Sequence, residues 1–178
     1  LSLATVAALG ALFVGGLAAL RPAPGVIPYD LNSPLFSDYA VKDRFIRIPD
    51  GTRIGYRKDE VFEFPVGTVI AKTFSYPHDF REPSRGRRLI ETRILKRDPE
   101  GWTALPYIWN ADQTEADLDV AGETVDVEWV HHDGRRRTNN YIIPNANQCK
   151  GCHERGQEMV PIGRSEEHTS ELQSHSDL

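Results

Sequence analysis

The chain has 178 residues, of which 39% are hydrophobic and 26% charged, with a formal net charge of −5. One of its 21 Lys and Arg (Arg164) and four of its 26 Asp and Glu (Glu166, Glu167, Glu171, Asp177) fall in residues 164–178, so the remainder carries 20 basic against 22 acidic groups. That near-neutral balance leaves out the basic footprint of a nucleic-acid binder and the strong field that selects acidic substrates.

Residues 1–20 contain no charge and are rich in Ala, Leu, Val and Gly, and Arg21 ends the run. About twenty apolar residues can span a bilayer. The run also fits a signal-peptide core without its basic start, or a helix inside the folded domain that stops at Pro22-Ala23-Pro24-Gly25. Membrane association through residues 1–20 belongs to the first two readings. Tyr29 to Asp38, with Asn32-Ser33-Pro34 in the middle, reads as an ordered, non-helical lead-in.

From Arg44 to Ile143 short apolar bursts alternate with turn signals. Arg44 to Ile48 runs into Pro49-Asp50-Gly51, where Pro presets φ and Gly tolerates a positive φ. Val61-Phe62-Glu63-Phe64 alternates before Pro65-Val66-Gly67, and Thr68 to Phe74 is β-branched and aromatic. Leu89 to Leu95 leads to the turn Asp98 to Gly101, and Trp102 to Trp109 returns. Thr124 to Val130 has period two, His132-Asp133-Gly134-Arg135 signals a hairpin, and Tyr141 to Ile143 closes the series. Seven or eight strands at this spacing predict a mainly β chain with an antiparallel β-sandwich-like domain over residues 21–143. Arg85 to Arg88 and Arg135 to Arg137 are read as solvated turn charge. Asp117 and Asp119 hint at calcium, but the glycine and glutamate of a calcium loop are missing.

Cys149-Lys150-Gly151-Cys152-His153 is Cys-x-x-Cys-His, the attachment signature of a c-type haem, and it uses both cysteines of the chain. Each thiol adds across one vinyl group of the porphyrin to make a thioether, and the two-residue gap lets both sulfurs reach the same face. His153 follows directly as the candidate proximal iron ligand. A redox disulfide normally sits in a βαβ pattern that is lacking here, and zinc needs four ligands where no second cysteine pair exists. These two readings and coincidence remain the alternatives. Residues 144–163 are thus read as the start of a truncated, α-helical cytochrome c-like segment joined to the β domain by a short linker. A carbonyl at Pro161 or a neighbour is expected to accept a hydrogen bond from the proximal imidazole. Met159, the only methionine, is a candidate distal ligand, although it lies only six residues after His153. His78, His131 and His132 are weaker candidates. Arg164 to His175 resembles the translation of a common short-read sequencing adapter, so residues 164–178 are expected to be non-native, with His168 and His175 irrelevant to iron.

Several strings together resemble a family of exported bacterial proteins in which a β-rich domain precedes a single c-type haem motif. They include Val26 to Asn32, Pro34 to Ala40, Phe64 to Ile70, Leu89 to Arg93, Gly101 to Asn110, Gln113 to Ala116 and Ile143 to His153. The resemblance covers roughly residues 20–163 and implies one covalent haem c and a periplasmic or otherwise exported location, but no activity. The function expected is electron transfer to or from a redox partner protein. The alternative is a haem-dependent oxidoreductase, or a binding or sensing module, whose β domain takes a substrate such as a glycan. Trp102, Tyr107, Trp109 and Trp129 would then stack on sugar rings if they were not core residues.

Overall fold

The computed structural model describes residues 9–32, 35–57, 61–155 and 157–161. The chain is mainly β and antiparallel. Six strands form one sheet in sequence order: β1 Val26–Tyr29, β2 Val41–Arg47, β3 Val69–Pro77, β4 Arg87–Asp98, β5 Gly101–Trp109 and β6 Ala116–Leu118. Each strand pairs antiparallel with the next, β4 and β5 through the two-residue turn Pro99-Glu100 and the others through longer connections. Strands β7 Glu123–Val130 and β8 Arg136–Ile143 make a separate hairpin around the predicted Asp133-Gly134 turn.

Successive side chains leave a strand on opposite faces, so the register sorts the sheet into two surfaces. The first carries Phe45, Ala71, Ile94, Tyr107 and Trp109, all buried with Leu9, Leu12, Phe13 and Leu20. Residues 9–20 therefore fold back onto this sheet, with Phe13 edge-on to Phe45 at 4.9 Å. No helix among the described residues is long and apolar enough to cross a membrane, and residues 1–8 lie outside those described. Polar groups on this face pair with one another: the Thr73 and Thr92 hydroxyls lie 2.8 Å apart, and Trp109 Nε1 donates to Thr92 at 3.0 Å.

On the second face the β7–β8 hairpin packs Val127, Trp129, Tyr141 and Ile143 against Phe74, Tyr76 and Ile90. A bulge assists here. Phe74 faces Glu91 while Ser75 faces Leu89, so β4 carries one extra residue at Ile90. The hairpin covers only one end of this face. Beyond it two cross-strand rows remain, Ile46–Ile70–Leu95–Ala104 and Arg44–Lys72–Arg93–Pro106.

Two expectations are modified. Val26–Tyr29, which no expected strand covered and of which only Tyr29 falls in the expected lead-in, is strand β1. Val61 to Phe64 does not join a ladder; only Glu63 bridges, to Gly55. Pro65 ends the run without a backbone donor, and the alternation places Phe62 and Phe64 on a groove instead of in a sheet.

Candidate functional site

Downstream of β8 the chain forms one short helix, α1 Ala146–His153. Its start is built by a capping box: Gln148 N donates to Asn145 Oδ1 and Asn145 N to Gln148 Oε1, both at 2.8 Å. Cys149, Cys152 and His153 stand at positions i, i+3 and i+4 of this helix, the spacing that brings side chains to one helical face. The entry is fixed from outside by the Val120–Gly122 turn. Ala146 N donates to Val120 O at 3.1 Å, and a Cβ on Gly122 would lie 2.7 Å from Ile143 O and 2.8 Å from Asn145 N. Asp119 makes that turn by accepting from Ala121 N at 2.7 Å and Gly122 N at 3.3 Å. Among the described residues no cluster of three or more His, Cys, Asp or Glu is placed to hold a bare metal ion.

After α1 the chain reverses through β9 Glu154–Arg155 and β10 Glu158–Met159. The reversal returns Val160 to the motif: Val160 N donates to His153 O at 2.6 Å, and His153 Nδ1 lies 3.1 Å from Val160 O. A carbonyl only accepts, so this contact selects the tautomer with its proton on Nδ1 and its lone pair on Nε2. The carbonyl expected at Pro161 or a neighbour is thus that of Val160.

All three motif side chains line one groove of about 570 Å³ on the uncovered part of the second face. Ile46, Ile70, Leu95 and Ala104 contribute to its floor, Ile54, Phe62 and Phe64 to one side, and Pro144, Gln148 and Pro161 stand beside the motif. Arg44, Lys72 and Arg93 add positive charge to the same lining. Its volume falls within the range typical of small-molecule and cofactor sites, and an apolar lining with a few placed polar groups is their usual character.

Cys149 is buried and Cys152 exposed, and the two are not joined as a disulfide. Burial pushes the Cys149 thiol up, and the Arg93 charge acts the other way. Arg93 is held by Glu91 through Nε at 2.7 Å and Nη2 at 2.5 Å. Glu91 also accepts from the Tyr141 hydroxyl at 2.7 Å. Burial drives the Tyr141 hydroxyl well above the usual phenol range, and the Glu91 charge adds to it.

The other candidates lie elsewhere. Met159, half-buried in β10, is not among the groove residues. His131 and His132 form an aromatic cluster with Phe80 next to Tyr39. His131 also takes the Trp129 indole donor, at 3.4 Å. His78 sits beside Gly86, and His168 and His175 lie outside the described residues. Tyr107, Trp109 and Trp129 are core residues, and Trp102 packs edge-on against Phe64 at 5.4 Å. Comparison with protein-family models, curated proteins and solved structures finds no match to the chain.

Sequence reasoning missed the groove cations. The only signal for them was a basic residue on each of three strands, which period-two alternation assigns to a solvent face.

Proposed function

We propose that this chain carries one covalent haem c outside the cytoplasm and works in electron transfer with a redox partner protein. Cys149 and Cys152 would hold the porphyrin through thioethers, with His153 as proximal iron ligand. When bound, the group supplies a one-electron iron couple. The observation that carries the reading is that both sulfurs and the imidazole line one apolar groove, while Val160 O orients the imidazole. The chain's own contributions are then distinct. Ile46, Phe62, Ile70 and Leu95 exclude water from the groove, the Val160 carbonyl keeps a proton on His153 Nδ1, and the capped helix holds the thiols together. In this reading the β7–β8 hairpin is the second layer of a small sandwich, and α1 is the opening helix of the cytochrome c-like segment.

A second reading, a haem-dependent oxidoreductase or sensor, is favoured by one feature of the groove: among the described residues His153 is the only imidazole in its lining, and Met159 is not part of it. An open iron position suits catalysis or gas binding.

Export of the full chain in cells that express haem-maturation factors tests both readings. The expected product carries the mass of one haem, retains colour after denaturation, and loses it when Cys149 and Cys152 are both changed to Ala. A low-spin reduced spectrum supports electron transfer, whereas a high-spin iron that binds carbon monoxide moves the assignment to the second reading. A folded product without covalent haem overturns both.

A further inference from the structure

We infer that the occupant of the groove carries a carboxylate, and that Arg44 is its seat. The inference deepens the haem reading and rests on it, because a haem presents two carboxylates on an otherwise apolar ring. Arg44 on β2, Lys72 on β3 and Arg93 on β4 are direct cross-strand neighbours, and all three line the groove. Like charges opposite one another across a sheet destabilise it, so three in a row call for counter-charge. Arg93 has the buried Glu91 carboxylate. Arg44 has less. Its side chain is only 3% exposed, its Nη1 meets the largely exposed Asp30 at 2.9 Å, and its Nε and Nη2 find no hydrogen-bond partner among the described residues.

A buried guanidinium with unmet donors is costly and is seldom left so without a role. The guanidinium is planar and matches a carboxylate through two parallel N–H bonds. Apart from these charged groups the groove lining is largely aliphatic and aromatic, which selects an anion on an apolar body over inorganic phosphate or a sugar acid. Lys72 adds a second positive charge one strand away, about 5 Å along the row.

The test uses the full-length apo-protein, made in the cytoplasm and kept reduced, titrated with haemin and with its dimethyl ester. Esterification removes both negative charges and leaves the ring intact. The wild type is expected to bind haemin about tenfold more tightly than the ester, a difference of about 1.4 kcal/mol. Arg44→Met is expected to erase that preference, and Arg44→Lys to retain part of it. Because Arg44→Met removes an incompletely paired buried charge, its apo form is expected to melt no lower than the wild type. Equal binding of acid and ester by the wild type, or an unchanged preference in Arg44→Met, overturns the inference and leaves the haem reading standing. Should Arg44→Met fail to fold, the wild-type comparison and Arg44→Lys decide. If neither porphyrin binds, the haem reading falls, and dodecanoate against its methyl ester decides the carboxylate: preference for the acid that Arg44→Lys weakens upholds it, and equal or absent binding overturns it.

Discussion

The carboxylate of Glu91 is fully buried, yet it takes two hydrogen bonds from Arg93 and one from Tyr141. With its donors in place the charge is tolerable; with one removed it becomes costly. Tyr141→Phe keeps the ring packing against Phe74 and Tyr76 and deletes only the hydroxyl. Loss of about 1.5–3 kcal/mol is expected, because the bond is to a charged group and lies in the core. Urea unfolding of the two proteins measures this, and an unchanged midpoint would show that the bond contributes nothing net. Such a network was hidden in the sequence. Leu89-Ile90-Glu91-Thr92-Arg93 reads as a strand with one polar face, since alternation tells which residues share a face and not whether that face is later covered. The bulge at Ile90 hides it further, because one extra residue shifts every later side chain relative to the simple count. The grouping of Cys149, Cys152 and His153 was legible for the opposite reason: it follows from their local spacing on one helix.

At the level of elements, the placement of α1 rests on its entry more than on its own propensity. Eight residues with a glycine inside make a poor isolated helix. Its position comes from the Asn145–Gln148 capping box and from the close passage of Gly122 against Ile143 and Asn145. Gly122 also has φ of +78°, where a side chain is strained. Gly122→Ala is therefore expected to cost more than about 1 kcal/mol and, on the proposed haem reading, to lower the haem content of exported protein, while Gly151→Ala, whose added Cβ meets open space, leaves both unchanged or slightly raised. Thermal melts and haem-to-protein absorbance ratios give the comparison. Of the elements themselves, β2 to β5 and the β7–β8 hairpin were readable from alternation and turns. Val26–Tyr29 was not, because a four-residue edge strand containing Pro28 carries little periodic signal. Phe62 and Phe64 alternate like a strand because both must face the same groove, which is the same periodicity with a different purpose.

Across the whole molecule, the hairpin is joined to the sheet through the turn that follows β3. Val130 N donates to His78 O at 3.0 Å and Phe80 N to Val130 O at 2.9 Å, and Asp79 between them clamps Arg81 with Nε at 3.0 Å and Nη2 at 2.7 Å. Arg81 and its own backbone amide hold the Asp79 carboxyl down to about 2. An ordinary aspartate titrates near 4. The depressed value means that Asp79 stabilises the fold fully above about pH 4 and that this contribution disappears as the pH falls toward 2. Urea midpoints measured from pH 7 to pH 2 should drop over that window, and the drop should be smaller in Asp79→Asn, which has no such charge to lose. An identical profile in the variant would place the acid sensitivity elsewhere. Sequence alone gave both strands of the hairpin but not which surface they cover. That depends on the register set by β3 and β4, which no local pattern carries.

The sheet order is also the order of synthesis. Strands β1 to β6 each pair with the next along the chain, so no strand of this sheet waits for a partner beyond the one that follows it. A chain that emerges N-terminus first can complete its meander before residue 149 arrives. On the proposed haem reading, the thiols would then be delivered to a wall already standing, and attachment would take place on a partly folded template that limits how the porphyrin can approach.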